Sequence, residues 1–276
     1  MKIKSFSKIN LTLRVLNKLK NGMHNIETNS VLINLFDEIK ITKSNEDTVL
    51  FKGKFKNKIH QKKNTIIKTL NLLKKKNIIK NSYRVVVKKN IPVFAGLGGG
   101  TSNSVFVAKY LLKKKLNKKL VSELEKKVSS DFRLFLNDSS FQQNLKKFNK
   151  TKNKPYKNII VIFPKINCKT KDIYKLVKNY SSSTGNRYLK NKNMRLFTKL
   201  ITKDRNDLQK VVEKKYPKIL QLIQSISNER GCIISRMTGS GSACYGLFES
   251  KKTANLAISK LKRKYPKYWC VITKTI

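Results

Sequence analysis

The sequence has few of the side chains that bind structural metals or form disulfides. It contains two histidines, His24 and His60, and four cysteines in 276 residues, and no cysteines are spaced as a CxxC pair. Structural zinc sites need Cys and His at short, regular spacings, and disulfide frameworks need paired cysteines in a short secreted chain. The sequence therefore argues against both kinds of domain, and it favours a reducing compartment such as the cytoplasm.

Long apolar runs are also missing. No stretch approaches the roughly 20 consecutive apolar residues of a transmembrane helix, and Met1–Phe6 lack the apolar core of a signal peptide. We therefore predict a cytoplasmic protein without a membrane partner. With 39% hydrophobic residues, the chain can bury a large core as one domain or as two closely packed ones.

Acidic residues are scarce as well. The chain has 15 Asp and Glu against 63 Lys and Arg, a formal net charge of +48, which is typical of proteins that bind nucleic acid or anionic membranes. Only nine of the basic residues are Arg, the residue on which nucleic-acid surfaces rely for bidentate contacts, and the lysines are spread through every segment. Lys, Asn and Ile are abundant together and share A/T-rich codons, so a nucleotide bias of the genome explains the charge. We predict loose binding of polyanions at low salt but no specific nucleic-acid partner.

Periodicity predicts a mixed α+β chain. Strand-like alternation is found at Ile9–Val15, Ile26–Ile41 and Tyr83–Val87. Further strands are predicted at Thr48–Phe55, Asn158–Phe163, Ile233–Thr238, Ala243–Phe248 and Tyr268–Thr273. Helical spacing is found at Asn64–Lys76, Val105–Leu116, Val121–Val128, Thr170–Ile226 and Lys251–Arg263. The Lys- and Asn-rich segment Lys146–Lys157 has the composition of a connection, so we predict two domains, 1–150 and 151–276.

The most informative segment is the loop Pro92–Ser102, which has four glycines and lies between a predicted strand and a predicted helix. Glycine accepts positive φ, so successive backbone N–H groups can point at one anion. Thr101 and Ser102 are residue types that cap helices, and the start of a helix also attracts anions. The loop matches neither the GxxxxGK[ST] P-loop nor a clean GxGxxG fingerprint. We interpret it as a phosphate-binding loop, although a glycine-rich segment taken alone is more often a tight connection than a nucleotide site.

Three further clusters carry side chains suited to chemistry. The first is Ser7–Asn10 with the nearby Asn21–His24, the second surrounds Asp131, and the third is a second glycine loop at Met237–Cys244. Each also has a purely structural interpretation: Lys8 as a solvated strand end, Asp131 as a helix cap or turn residue, and the second glycine loop as a tight hairpin.

Taken together, these clusters resemble the motifs of the GHMP small-molecule kinases over nearly the whole chain. The matching pieces are Lys8-Ile9-Asn10, Gly22-Met23-His24, Gly96–Ser102, Asn206-Asp207-Leu208 and Met237–Phe248. The resemblance implies an α+β, two-domain fold, with an N-terminal domain like ribosomal protein S5, a ferredoxin-like C-terminal domain and an active site in the cleft between them. It further implies ATP as the phosphate donor, with Mg²⁺ held mainly through phosphate oxygens. The implied acceptor is a cytidine-diphosphate sugar alcohol, and the implied assembly is a monomer or a weak homodimer.

The resemblance also assigns roles to residues. Lys8 and Asp131 match the catalytic pair, in which the carboxylate accepts a hydroxyl proton and the ammonium steadies the developing alkoxide. The matching ATP-binding residues are Asn64, Lys89, Pro92, Val93, Phe94, Ala95, Gly96, Leu97, Gly98, Gly99, Gly100, Thr101 and Ser102. The matching substrate-binding residues are Asn10, Met23, His24, Thr170, Tyr174, Gly239, Ser240 and Gly241.

The sequence departs from the family pattern at a few of these positions. Met23 stands where the family usually has Tyr, Phe94 stands where it has a small residue, and Asp131 is flanked by Ser130 and Phe132 instead of Ala and Val. Two alternatives stay open. One is a GHMP kinase that acts on another small alcohol. The other, motivated by the net charge of +48, is a degenerate kinase fold that binds nucleic acid.

Overall fold

The computed structural model describes residues 2–57, 59–113, 115–145, 147–151, 158–190 and 193–276. The predicted connection Lys146–Lys157 lies in part outside the described residues, at 146 and 152–157. Within the described ranges, no helix has both the length and the apolar character that crossing a membrane requires.

The described residues form a mixture of strands and helices, which confirms the predicted α+β class. The strands are β1 (Lys2–Lys18), β2 (His24–Ser44), β3 (Thr48–Lys52), β4 (Ser82–Lys88), β5 (Ser139–Gln142), β6 (Phe148–Lys150), β7 (Ile159–Phe163), β8 (Cys232–Met237), β9 (Cys244–Phe248) and β10 (Trp269–Thr273). The helices are α1 (Thr65–Lys75), α2 (Gly99–Leu111), α3 (Lys118–Lys127), α4 (Thr170–Lys175), α5 (Arg187–Lys190), α6 (Met194–Lys203), α7 (Asp207–Lys215), α8 (Pro217–Ser227) and α9 (Lys251–Lys264). A short 3-10 helix at Phe132–Phe135 follows α3.

The chain divides into two compact units. The first unit comprises residues 1–8, 35–93 and 98–137, and the second comprises residues 9–34, 94–97 and 138–276. The long strands β1 and β2 and the glycine loop each contribute residues to both units. The units thus follow three-dimensional packing, whereas the division at 150 and 151 follows the composition of the connecting segment and stays a prediction.

In the first unit, β4 is paired on both sides. The segment Glu38–Ser44 of β2 pairs antiparallel with β4, and β3 pairs with it in parallel. Helix α1 buries Leu70 and Leu73, while α2, which packs against α1, buries Val105 on its inner face. This packing fixes the position of the α2 N-terminus, where the glycine loop ends.

The second unit contains an antiparallel sheet with the strand order β10-β7-β9-β8. Ile160 and Ile162 of β7 lie in a buried apolar cluster together with residues of α7, α8 and α9. The hairpin β8–β9 ends in the pair Met237 and Cys244, so the residues between them form the connection. The second glycine loop is therefore the tip of a hairpin whose strands belong to the core sheet.

Candidate active site

The first glycine loop ends in a helix start that only glycine can form. The N-cap of α2 is Gly98, with φ of 67°, and a Cβ at this position would lie 2.5 Å from the Phe135 ring. The prediction that Thr101 and Ser102 cap the helix is wrong, because both lie inside its first turns. The left-handed backbone at Gly98 begins the helix earlier and leaves the N–H groups of that first turn available to an anion.

Lys8 lies beside this helix start, with its Cε 3.4 Å from the position of a Cβ on Gly98. The residue is 3% exposed, so it is not a solvated strand end. Burial lowers the pKa of the Lys8 ammonium, and the nearby carboxylate of Asp131 opposes that shift. Lys8 and Asp131 are thus brought together within the first unit, close enough to interact electrostatically.

Asp131 is half-buried at the start of the 3-10 helix Phe132–Phe135. Its side chain makes no capping hydrogen bond to that helix, so the structure does not support a capping role for the side chain. The backbone of Asp131 does lie in a turn, where its carbonyl accepts the N–H of Leu134 at 3.1 Å. A carboxylate that is not needed for capping can accept a proton from a hydroxyl group brought next to it.

A second buried lysine, Lys89, also reaches the α2 N-terminus. Its Nζ lies 3.3 Å from the position of a Cβ on Gly99. Its ammonium forms an ion pair with Asp37, whose side chain is fully buried. Burial lowers the pKa of Lys89, and Asp37 opposes the shift through its charge and a hydrogen bond. Asp37 also accepts hydrogen bonds from the backbone N–H groups of Asn90 (2.7 Å) and Ile91 (2.9 Å).

The other predicted ATP-binding side chains of the first unit are engaged within the protein. Asn64 caps α1 by accepting hydrogen bonds from the N–H groups of Ile66 and Ile67, each at 3.0 Å. Thr101 shares a hydrogen bond with a serine hydroxyl 2.7 Å away, and the buried Ser102 hydroxyl shares one with Ser5, also at 2.7 Å. These side chains position the backbone around the glycine loop, and Gly100 lies exposed beside them.

The middle of the glycine loop belongs to the second unit, where it packs against the second glycine loop. The N–H of Ala243 donates to the Ala95 carbonyl at 3.1 Å. A Cβ on Gly96 would lie 2.2 Å from the Thr238 carbonyl oxygen, so the two backbones touch there. Leu97 is buried, whereas Phe94 is 44% exposed and has φ of 56°.

Positive φ is rare and costly for a bulky residue, and such strain is concentrated at functional sites. Among the remaining loop residues, Pro92 is buried and Val93 is half-buried. Phe94 is therefore the member of the loop that presents an exposed aromatic ring.

The predicted substrate residues Asn10, Thr170 and Ser240 are connected to the second glycine loop. The Asn10 N–H donates to Thr238 Oγ1 at 3.0 Å, and the side chain of Asn10 donates to Thr28 Oγ1 at 2.8 Å. Thr170 Oγ1 and Ser240 Oγ share a hydrogen bond of 2.9 Å. The loop itself is buried, and Gly239 and Gly241 have φ of 55° and 84°.

An aromatic cluster lies elsewhere in the second unit. The ring centroids of His24 and Tyr174 are 5.1 Å apart, and Tyr180 lies 6.4 Å from His24. Met23, next in sequence to His24, is 46% exposed. Burial and the nearby Lys18 both lower the pKa of His24, which favours its neutral ring at pH 7. A neutral imidazole beside tyrosine faces suits a planar base better than a phosphate.

Sequence reasoning missed two residues of these clusters. Asp37 has a visible signal, because it is an acidic residue on the inward face of a strand that also places Ile39 and Ile41 inside. Tyr180 gave no such signal, because it falls within the predicted helical stretch Thr170–Ile226, whereas the structure places it in an irregular segment between α4 and α5.

Family models of known proteins match this chain in its N-terminal half and in its C-terminal half. A model of the GHMP kinases N-terminal domain matches residues 64–132, and one of the GHMP kinases C-terminal region matches residues 186–267. The 4-diphosphocytidyl-2-C-methyl-D-erythritol kinase of Pelagibacter ubique (strain HTCC1062) is 36% identical over 294 residues, which cover 100% of this chain and 99% of that one.

Solved structures share the fold. A crystal structure of 4-(cytidine 5'-diphospho)-2C-methyl-D-erythritol kinase matches with a TM-score of 0.76 at 20% identity, covering 99% of each chain. A homoserine kinase from Cytophaga hutchinsonii matches with a TM-score of 0.70 at 17% identity, covering 99% of this chain and 96% of that one. Kinases with different acceptors thus have this architecture, so the fold alone does not select the acceptor.

Proposed function

The chain belongs to the GHMP kinases, and we propose that it transfers the γ-phosphate of ATP to the 2-hydroxyl of 4-diphosphocytidyl-2-C-methyl-D-erythritol. The observation that carries the proposal is the cluster in the first unit, where Lys8 and Asp131 lie together and Lys8 reaches the glycine start of α2. The acceptor is proposed from the full-length relative, which is named for this activity.

The residues at the start of α2 fit a polyphosphate. Helix N-termini with glycine backbones bind phosphate through N–H groups, and two buried lysines, Lys8 and Lys89, approach the same turn. Bulkier residues would be excluded, since a Cβ at Gly98 or Gly99 would lie within 3 Å of Phe135 or Ile91. Backbone N–H groups and ammonium groups are the donors that the β- and γ-phosphates of ATP need.

The described residues fit Mg²⁺ only as a companion of the nucleotide. Among them, no group of three or more His, Cys, Asp and Glu side chains could hold a metal ion. Mg²⁺ commonly binds through one or two carboxylates together with substrate phosphates and water. When bound, the ion would neutralise charge on the transferred phosphoryl group. We assign Asp131, whose carboxylate interacts electrostatically with Lys8, to this purpose or to proton transfer.

In the proposed mechanism, the hydroxyl oxygen at the 2-position of the acceptor attacks the γ-phosphorus. The Asp131 carboxylate accepts the proton that this hydroxyl group loses. A new phosphorus–oxygen bond forms to the acceptor, the bond to the β-phosphate oxygen breaks, and ADP leaves with the electron pair. The Lys8 ammonium stabilises negative charge on the attacking oxygen and on the transferred group. Positioning and charge neutralisation account for most of the catalysis in such reactions, because the protein forms no covalent intermediate.

We assign binding of the acceptor to the second unit. His24 and Tyr174 offer an aromatic surface for the cytosine ring, and the exposed thioether of Met23 can pack on the same ring. Asn10 and the loop that carries Ser240 supply polar groups for the diphosphate and the sugar alcohol. We place the enzyme in the cytoplasm, where a small phosphorylated metabolite would be made and used.

The proposal is tested by comparing acceptors. Purified protein is incubated with Mg-ATP and, in parallel, with 4-diphosphocytidyl-2-C-methyl-D-erythritol, homoserine or mevalonate, and release of ADP is followed. We expect the cytidine substrate to give the highest kcat/KM and CMP to compete with it. Equal or faster turnover of another alcohol, without competition by CMP, would assign the enzyme to that alcohol instead.

The net charge of +48 favours one second function, binding of nucleic acid. Binding through scattered lysines weakens steeply as salt rises, whereas a specific site retains affinity. A filter-binding titration with single- and double-stranded polynucleotides at low and at physiological salt separates the two. Affinity that persists at physiological salt would support the second function, and loss of nearly all binding would remove it.

A further inference from the structure

Asn206 is the N-cap residue of α7, and its side chain also connects this helix start to the second glycine loop. Neither the family motif nor the fold supplies a role for it. Its side-chain oxygen accepts a hydrogen bond from the N–H of Leu208 at 3.0 Å, which caps α7. Its amide nitrogen donates to two carbonyl oxygens, of Met237 at 2.9 Å and of Gly239 at 2.8 Å. The residue is 3% exposed. One side chain thus uses both ends of its amide group in fixed directions.

The two carbonyl groups lie where the hairpin leaves its sheet. Met237 is the last residue of β8, and Gly239 is the first of two residues with positive φ in the loop. Inside the loop, the Thr238 N–H donates to Ala243 and the Gly241 N–H donates to Thr238, both at 3.0 Å. A loop with two glycines has many accessible backbone conformations, so external hydrogen bonds are needed to select one of them.

The loop that Asn206 holds contacts the groups assigned to the acceptor and the phosphate loop. It carries Ser240, which is bonded to Thr170, and its Thr238 hydroxyl accepts the N–H of Asn10. Its backbone also touches the glycine loop at Gly96. A shift of the loop would therefore move several of these groups together.

Asn206 is itself held firmly by its neighbours. The adjacent Asp207 accepts hydrogen bonds from the N–H of Val15 at 2.8 Å and from the Ser181 hydroxyl at 2.7 Å. The Arg205 carbonyl accepts the N–H of Leu13 at 2.9 Å. This segment is thus joined to β1, the strand that contains Asn10, and can serve as a fixed reference for the loop.

We infer that Asn206 is a positioning residue for the phosphoryl acceptor: its amide N–H groups hold Gly239–Gly241 in the conformation that binds the sugar alcohol. The inference rests on the proposed function, because the acceptor is the ligand that the loop would close upon. Asn206 itself touches neither reactant in this account and acts through the loop.

The substitution Asn206→Asp tests this directly. Asp preserves the size of the side chain and caps helices as well as Asn does, but its carboxylate has no N–H group for Met237 and Gly239. Asn193→Asp is the matched control, because Asn193 caps α6 by accepting from the N–H groups of Arg195 and Leu196.

The measurements are the KM values for acceptor and for ATP, and amide hydrogen exchange in the loop. Leaving buried carbonyls without their donors costs about 1–3 kcal/mol, and a carboxylate buried against two carbonyl oxygens adds to that cost, so we expect kcat/KM for the acceptor to fall by at least about 5-fold. We expect the Kd for ATP to change less than threefold, exchange at Thr238 and Gly241 to accelerate, and the control to match the wild type.

Each outcome has a defined meaning. If the wild-type protein shows no turnover of the acceptor, both the proposed function and this role are wrong. If the wild type is active and Asn206→Asp keeps its acceptor KM and its exchange rates, only the positioning role is wrong. Equal losses for acceptor and ATP would indicate a general structural role and would also overturn it. If Asn206→Asp fails to fold, the same measurements are made on Asn206→Ser. Serine keeps a capping hydroxyl but is too short to reach both carbonyl groups.

Discussion

The buried pair of Lys89 and Asp37 makes a strong prediction about stability. Asp37→Asn retains an oxygen that can accept the backbone N–H groups of Asn90 and Ile91, but it leaves the Lys89 ammonium buried without its counter-charge. Removing one partner of a buried ion pair typically costs about 3–5 kcal/mol, whereas replacing both charges by apolar groups is often nearly neutral. We therefore expect Asp37→Asn to lower the free energy of unfolding by about 3–5 kcal/mol at pH 7.

The destabilisation caused by Asp37→Asn should also change with pH in a defined direction. Burial already places the pKa of Lys89 below 10.5, and without Asp37 that pKa falls further. Between the pKa of Lys89 in the folded protein and its pKa in the unfolded chain, the unfolded chain binds more protons than the folded protein. In that pH range the free energy of unfolding therefore rises with pH. The destabilisation of Asp37→Asn should therefore be largest at neutral pH and shrink as the pH rises toward 10.5.

Urea denaturation of four proteins measures this coupling: the wild type, Asp37→Asn, Lys89→Met and the double variant, each at several pH values. We expect the double variant to recover most of the stability that Asp37→Asn loses, because no buried charge is left unpaired. A loss below about 1 kcal/mol in Asp37→Asn, or no recovery in the double variant, would refute the electrostatic reasoning.

Three further predictions concern the first unit and the reaction. Asp131→Asn should abolish turnover and largely spare ATP binding measured by calorimetry; full activity would show that another group accepts the proton. Gly98→Ala should weaken ATP binding and destabilise the protein, because the new Cβ would lie 2.5 Å from the Phe135 ring. The control is Gly22→Ala, at φ of 80°, where a new Cβ would meet no heavy atom of the described residues within 4 Å beyond its chain neighbours; it should lose only about 1 kcal/mol from backbone strain. Because burial lowers the pKa of Lys8 from 10.5, kcat should decline with rising pH before 10.5 is reached; a kcat that stays constant up to that pH would contradict a role for the ammonium.

The sequence predicted those parts of the structure that depend on local pattern. Alternation located the long strands β1 and β2, and the glycine spacing located the loop before α2. The start of α2 was placed too late, because the apolar periodicity begins at Val105 whereas the first turn consists of Gly, Thr and Ser. Strands β5 and β6 were not predicted, since they have four and three residues and little alternation.

Within the candidate site, contacts between distant residues were the part that pattern could not supply. The alternation of Asp37 with Ile39 on β2 contained a signal for a buried acid, but its partner Lys89 is 52 positions away. Asn206 was recognised as part of a motif, yet its role depends on carbonyl groups 31 and 33 positions away. The first pairing follows from the antiparallel pairing of β2 with β4, and the second from the position of the α7 N-cap beside the end of β8. Neither leaves a trace in local periodicity.

The central claim is that this chain phosphorylates one hydroxyl group of a cytidine-diphosphate sugar alcohol. The direct measurement is to incubate the wild-type protein with Mg-ATP and 4-diphosphocytidyl-2-C-methyl-D-erythritol and to identify the product by mass spectrometry and phosphorus NMR. We predict one ADP for each acceptor consumed and a product with a single new phosphomonoester at the 2-position. Absence of that product, with an active kinase of the same specificity working in the same buffer, would contradict the account.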